Sequence, residues 1–290
     1  MQYDEPLFRP PSEAHSLIIQ ATLGCSNNTC LFCGMYKMKK FTVRPFDAFK
    51  KDVLDCARYA PDARRIFLAD GDALVMSMSH FTKILRLLYA KFPNLERVTC
   101  YANPLNLLKK SMGELRQLRE EGLGTLYLGM ESGSEQVLKR IAKGSTRAEI
   151  LEAGRKALDA GFPLSVTVIL GLGGKLLSEE HIRDTASLCS DMNPTYLSAL
   201  SLMLGPLENY FAKTQGPDFE FLDKLDMLRE VRQLVCELHT DNTIFRTNHA
   251  SNYLPLKGVL RQDRETLLAA IDTAMADPGK YLKPEFLRAL

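Results

Sequence analysis

The segment Gly24-Cys25-Ser26-Asn27-Asn28-Thr29-Cys30-Leu31-Phe32-Cys33 sets three thiols on one short stretch at the spacing C-x4-C-x2-C. Thiolates are soft ligands that suit iron–sulfur clusters or zinc. Three of them can hold three irons of a four-iron cube and leave the fourth open to a small molecule. A structural zinc site needs a fourth protein ligand. No His or Cys follows nearby, and the closest before the loop is His15. On spacing alone, iron–sulfur, zinc and coincidence all stay open. Cys56, Cys100, Cys189 and Cys236 are scattered without ligand spacing and read as buried thiols. Seven cysteines is an odd number, which argues against a disulfide framework.

Two polar runs could meet a substrate. Asn248-His249-Ala250-Ser251-Asn252-Tyr253 can hydrogen-bond a ligand or, through His249, move a proton near neutral pH. Tyr101-Ala102-Asn103 is the other, and an ordinary solvated loop is the rival reading for both. His15, His80, His181 and His239 fall in the lead-in or on helical segments and read as structural or surface residues.

These residues must be positioned by regular elements. Strand patterns occur at 16–24, 65–69, 97–101, 125–130, 164–170 and 196–203, with a possible seventh at 243–247. Helical periodicity fills 47–59, 79–92, 111–121, 146–160, 179–192 and 221–240. Runs such as Val166-Thr167-Val168-Ile169-Leu170 are nearly continuously apolar, as in strands of a parallel sheet covered on both faces. Thr146 and Glu149 form a capping box, Ile150, Leu151, Gly154, Ala157 and Leu158 form an inner face, and Gly161 followed by Phe162-Pro163 ends that helix. Repeating βα units without a nucleotide-type glycine turn after the first strand favour a barrel or partial barrel over an open sheet. Residues 1–15, with Pro6, Pro10 and Pro11, read as an irregular lead-in. Residues 16–260 form the barrel and 261–290 a C-terminal extension of one or two helices.

Composition narrows the function. Of 290 residues, 46% are apolar and 25% charged, as in an ordinary globular protein with a sizeable core. A net charge of +2 gives no argument for nucleic acid or an anionic membrane. No apolar run reaches the roughly 18 residues of a membrane span, and no signal peptide is visible. A cytoplasmic enzyme is the expectation.

The run Thr22-Leu23-Gly24-Cys25 with Cys30-Leu31-Phe32-Cys33 resembles the cluster loop of the radical S-adenosylmethionine (radical SAM) superfamily. The resemblance covers roughly residues 15 to 260. It is closest to the branch containing coproporphyrinogen dehydrogenase-like and methylthiotransferase-like enzymes. It implies an α/β fold of the partial (β/α)6 TIM type. It also implies a [4Fe–4S] cluster on Cys25, Cys30 and Cys33, flanked by Phe32, with S-adenosylmethionine as cofactor. The commonest spacing in the family is C-x3-C-x2-C, one residue shorter than here.

Family motifs carry over position by position. Asp70-Gly71-Asp72 resembles the Gly-Gly-Glu motif that receives the methionyl amino group, with Asp70 in place of glycine and Asp72 one methylene shorter than Glu. An Asx turn would look the same. Gly129-Met130-Glu131-Ser132-Gly133-Ser134 resembles the segment whose acid binds the ribose, and either serine could instead cap a helix. Gly171-Leu172-Gly173-Gly174 resembles the adenine-contacting turn; a phosphate loop is disfavoured because no Lys-Ser/Thr follows. Arg155 matches a basic position that pairs with the cofactor carboxylate, or is a solvated helix charge.

The resemblance implies reductive cleavage of the cofactor to a 5′-deoxyadenosyl radical that abstracts hydrogen from a substrate. An external electron donor such as flavodoxin or ferredoxin is implied with it. His249 and Tyr101 are the expected substrate-side residues. No second cysteine cluster and no appended basic module are present, which points to a small-molecule substrate rather than RNA. The alternative is a non-catalytic zinc- or iron–sulfur-binding barrel that serves as a partner protein.

Overall fold

The computed structural model describes residues 3–289. The chain forms two units. The first holds residues up to Asn28, Met35–Leu128 and Glu152–Leu164; the second holds Thr29–Gly34, Gly129–Leu151 and the chain from Ser165.

Along the first unit run β1 (Leu17–Gln20), β2 (Thr22–Leu23), β3 (Thr42–Val43), α1 (Phe46–Tyr59), β4 (Arg65–Ala69) and α2 (Met78–Lys91). They are followed by β5 (Arg97–Ala102), α3 (Pro104–Lys109), α4 (Met112–Glu120) and β6 (Leu123–Glu131), whose last residues pass into the second unit. Parallel pairing joins β1 to β4, β4 to β5 and β5 to β6. Alternation along these strands creates two unlike faces. Ile66, Leu68, Val98, Cys100, Leu126 and Leu128 are wholly buried on one. Phe67, Tyr101 and Tyr127 share the other, where they pack edge to face with ring centroids 5.1 to 6.2 Å apart.

The lead-in is built into this unit. Glu13 is fully buried and accepts hydrogen bonds from the Tyr127 hydroxyl at 2.5 Å, from Arg97 at 3.0 Å and from the Ser16 hydroxyl. The Tyr3 hydroxyl donates to the Ile18 carbonyl at 2.8 Å.

The second unit continues with α5 (Glu135–Arg140), α6 (Arg147–Asp159, of the first unit from Glu152), β7 (Leu164–Leu170), α7 (Gly174–Met192) and β8 (Tyr196–Ser201). It closes with α8 (Glu208–Gln215), α9 (Lys224–Glu237), β9 (Ile244–Arg246), β10 (Lys257–Val259), α10 (Leu260–Ala276) and α11 (Pro278–Tyr281). β7, β8 and β9 are parallel, and β10 runs antiparallel to β9. The Thr146–Glu149 capping box forms, with each backbone N–H donating to the other side chain at 2.8 and 3.2 Å.

Three differences from the sequence reading concern short or glycine-marked pieces. The seventh strand exists as β9, but its partner β10 (Lys-Gly-Val) carries no strand signal. α3, α5 and α8 are only six to eight residues long and lie where loops were expected. α7 starts on Gly174, at once after the glycine turn, rather than at residue 179.

Candidate functional site

In the first unit the end of β4 builds a cradle beside the entry to the cysteine loop. The Gly71 N–H donates to the Gly24 carbonyl at 3.0 Å, and the Asp70 N–H to the Thr22 carbonyl at 3.1 Å. A Cβ at position 71 would stand 2.9 Å from the Cys25 Cβ and from the Tyr36 ring, so only glycine lets the two backbones approach. Asp70 is completely buried, and its carboxylate accepts from Gln20 at 3.0 Å, from the Gly24 N–H at 2.9 Å and from Lys39 at 3.0 Å. Its side chain therefore serves the loop and not a ligand.

Asp72 differs. It is also completely buried, and one oxygen accepts from the Ser26 hydroxyl and the Asn106 amide. The other oxygen, Oδ1, has no hydrogen bond of normal geometry. Burial pushes the carboxyl above its ordinary range, while Ser26, Asn106, the Asn103 backbone and the charge of Lys110 oppose the shift. A buried, unsatisfied carboxylate oxygen is costly and calls for a donor or cation. Asn103 caps α3 by accepting from Leu105 at 2.9 Å, which presents Asn106 to Asp72. Lys110 donates to the Met76 carbonyl at 2.9 Å, and burial lowers its pKa. Tyr101 is half-buried within the aromatic face, and Arg155 lies on the exposed side of α6.

The second unit carries the rest of the cysteine loop. Cys30 is buried and Cys33 half-buried. The Leu31 N–H donates to the Ile141 carbonyl at 2.9 Å, and the Thr29 hydroxyl to the Ala142 carbonyl at 3.0 Å. Leu31 and Phe32 pack on a core that includes Val137, Ile141, Leu172 and Phe211. Leu172 is thus a core side chain that could offer a ligand only its backbone.

Glu131 has φ +67°, an unusual backbone for a non-glycine residue, and is paired with Lys143 at 2.9 Å. Ser132 exchanges a 2.8 Å hydrogen bond with Nδ1 of His181, and His181 Nε2 stands 3.0 Å from the Ile169 carbonyl. Ser134 is the cap of α5, accepting from Val137 at 3.2 Å. Gly171, at φ +83°, donates its N–H to Glu230 at 2.7 Å, and a Cβ there would meet the Met227 methyl at 2.5 Å. Glu230 also accepts from Ser178 at 2.7 Å; burial raises its pKa to about 8 against these two hydrogen bonds. Burial lowers the pKa of His181 to about 4, so the imidazole is neutral at ordinary pH.

At the polar run, His249 Nδ1 accepts from the Ser251 hydroxyl at 2.8 Å and the Ser251 N–H at 3.1 Å, which leaves the proton on Nε2. Asn252 is fully engaged by Ser201, Ala199 and Thr247 and holds the loop together. Burial, and then Lys283, lower the pKa of His249.

Sequence reasoning missed Asn106 and Lys143, took His181 only as a structural or surface residue, and missed Glu230. The last two lie on α7 and α9 among apolar neighbours at helical spacing, where a polar residue facing inward is the only available signal. Among the described residues, no three His, Cys, Asp or Glu side chains are close enough to share one metal ion. An iron–sulfur cube takes one thiolate per iron and asks instead for separated sulfurs. The three-thiol donor set suits such a cube, and the open Asp72 oxygen suits an ammonium. Among the described residues, no helix is long and apolar enough to cross a membrane.

Comparison with known proteins follows this geometry. Residues 19–189, more than half of the chain, match the model of the radical SAM superfamily. The heme chaperone HemW of Bacillus subtilis is 23% identical over 150 residues, covering 50% of this chain and 38% of that protein. A Methanocaldococcus jannaschii protein provisionally named a methylthiotransferase is 26% identical over 227 residues, 71% of this chain and 49% of that one. The chain thus spans half or less of the lengths of these relatives. Coproporphyrinogen III oxidase (HemN) of Escherichia coli, described as a radical SAM enzyme, shares the fold with a TM-score of 0.56 at 18% identity, over 77% of this chain and 52% of that one. The partial-barrel α/β fold is that of this group of enzymes, whose members use a [4Fe–4S] cluster with S-adenosylmethionine and take a substrate and a reductant. The chain belongs to the radical SAM superfamily.

Proposed function

We propose that this chain binds a [4Fe–4S] cluster through Cys25, Cys30 and Cys33 and uses S-adenosylmethionine to act on a small-molecule substrate. When bound, these groups supply a 5′-deoxyadenosyl radical that abstracts a substrate hydrogen. The observation that carries the reading is Asp72: a buried carboxylate with one oxygen unsatisfied, the other hydrogen-bonded to Ser26, the residue next to Cys25. Asp72 receives the cofactor's ammonium, and Asn106 and Ser26 hold its other oxygen in place. Glu131, held beside Lys143, accepts the ribose hydroxyls, the Gly171–Leu172 backbone meets the adenine, and Arg155 pairs with the cofactor carboxylate. Tyr101 and the Nε2–H of His249 are assigned to the substrate. A soluble electron donor of the flavodoxin or ferredoxin kind and a cytoplasmic setting complete the reading. The relatives' names differ in activity, so no substrate is carried over from them.

The test is anaerobic purification and cluster reconstitution, followed by iron analysis, visible absorption, and addition of dithionite with S-adenosylmethionine. Brown protein with close to four irons that releases 5′-deoxyadenosine is expected. A colourless zinc protein, or a cluster protein that never cleaves the cofactor, would overturn the proposal.

A further inference from the structure

Four residues stand in one row across the sheet of the second unit. The register aligns Thr167 of β7 with Ser198 of β8, Ser198 with Arg246 of β9, and Arg246 with Lys257 of β10. Register partners point to the same face. That face lies opposite α9. Ser201 and Thr247, each an odd number of residues away from the row, line a small cavity with Met227, Leu228 and Val231 of α9. The row therefore lies on the side that α9 does not cover, and Thr167, Ser198 and Arg246 are half-buried there.

Two observations make this row chemically incomplete. The guanidinium of Arg246 lies 5.8 Å from the Tyr196 ring, and its Nε is buried without a hydrogen-bond partner. Among the described residues, neither Arg246 nor Lys257 pairs with any carboxylate, and neither belongs to the residues with further polar contacts. Independently, the antiparallel register sets these two cations directly opposite each other. Like charges in that relation destabilise a sheet. A guanidinium fork, an ammonium and two hydroxyls in line form a cationic, donor-rich set with no anionic acceptor of its own. Adjacent strands are about 4.8 Å apart, so three neighbouring members of the row can converge on one group of a few ångströms.

We infer that the Thr167–Ser198–Arg246–Lys257 row is an oxyanion seat, which takes a carboxylate or phosphate group of the substrate. This deepens, and rests on, the reading of the chain as an enzyme of small molecules. Arg246 binds two oxygens through its planar fork. Ser198 and Thr167 donate to the outer oxygens, and the bound charge relieves the repulsion between Arg246 and Lys257. Tyr196 supports the flat face of the guanidinium. The substrate is then a small acid whose anionic end is fixed on β8 and β9.

The seat can be tested without iron, cofactor or substrate. Full-length protein labelled with 15N at arginine Nε is titrated with sodium acetate and, separately, with inorganic phosphate. Sodium chloride at matched ionic strength is the control. The Arg246 Nε–H signal is identified by its loss in Arg246→Gln. The expected result is a saturable shift of that one signal in the millimolar range with acetate, phosphate or both, and none with chloride. The stronger of the two indicates whether the substrate carries a carboxylate or a phosphate. Arg246→Lys, which keeps the charge, and Ser198→Ala should each weaken an anion-dependent rise in melting temperature at least threefold. A shift equal in chloride, or no saturation below about 100 mM of either oxyanion, overturns the seat. Neither outcome bears on cofactor cleavage, which the anaerobic assay reads separately.

Discussion

Ser132 and His181 share a 2.8 Å hydrogen bond that fixes the direction of a whole buried chain. His181 Nε2 faces the Ile169 carbonyl, which can only accept, so the ring proton sits on Nε2. Nδ1 is then an acceptor, Ser132 must donate to it, and the Ser132 oxygen accepts the Ser134 N–H at 3.0 Å. One imidazole on α7 thereby ties the turn after β6 to the end of β7. Those are the two turns assigned to ribose and adenine.

His181→Leu removes both bonds and deprives the Ser132 hydroxyl proton and the Ile169 carbonyl of their histidine partner. Each such loss costs about 1–3 kcal/mol. The melting temperature should fall by roughly 5 to 15 °C. His181→Gln, which can restore one bond, should recover part of it. Thermal unfolding followed by circular dichroism decides; a drop under about 2 °C for the leucine variant would remove His181 from this role.

Glu230 and His181 shape the pH dependence of stability in opposite senses. Glu230 is raised to about 8, so the folded chain holds a proton that the unfolded chain has lost above its ordinary range. Its contribution is intact below the ordinary glutamate pKa and declines as pH rises toward 8. His181 is lowered to about 4. Its contribution is complete above the ordinary histidine pKa and declines as pH falls toward 4. Glu230→Gln keeps the shape and removes the first titration. The melting temperature of the wild type should therefore drop by several degrees between pH 5 and pH 8 relative to Glu230→Gln. Parallel melting curves across that window would contradict the assignment.

How far the sequence could be read depends on what each residue does. β4 and β7 were predicted at their observed ends because Arg65–Ala69 and Leu164–Leu170 are mostly apolar runs with sharp borders. The Cys25–Cys33 loop was legible because three thiols at short spacing are rare without a use. Lys143, by contrast, is one lysine among many in the chain, and only the folded turn after α5 brings it to Glu131. The Arg246–Lys257 pair was invisible for a related reason: register between distant strands is a property of the sheet and not of either segment. Asp70 and Asp72 look alike on paper, yet the Gly24 N–H and Lys39 absorb the first and leave the second open.

Lys143→Met should leave Glu131 buried without its cation. Removing one partner of a buried pair costs about 3–5 kcal/mol when the charge cannot relax. The Glu131 side chain here retains slight exposure, so the lower end is expected. Lys143→Met with Glu131→Gln should be more stable than Lys143→Met alone. A double variant no better than the single one would show that the two side chains do not depend on each other.

The cluster and the cofactor can be separated by two substitutions in the first unit and the cysteine loop. Cys30→Ala removes one of three thiols, and the remaining cysteines cannot replace it. Cys100 and Cys189 are buried, and burial holds both thiols above their ordinary pKa, that of Cys189 at about 12. A protonated, enclosed thiol is a poor ligand. Iron content in Cys30→Ala should fall to a small fraction of wild type, whereas Cys189→Ser should keep it. Asp72→Asn acts differently. The amide keeps the volume, loses the charge, and turns one acceptor oxygen into a donor where the cofactor's ammonium is proposed to sit. Iron content and visible spectrum should stay as in the wild type, while affinity for S-adenosylmethionine falls about 10- to 100-fold, equivalent to roughly 1.4 to 2.7 kcal/mol. Equilibrium dialysis of the reconstituted protein measures this directly. If Asp72→Asn loses iron together with Cys30→Ala, Asp72 supports the cluster loop through Ser26; if it binds the cofactor as tightly as wild type, its open oxygen has another partner.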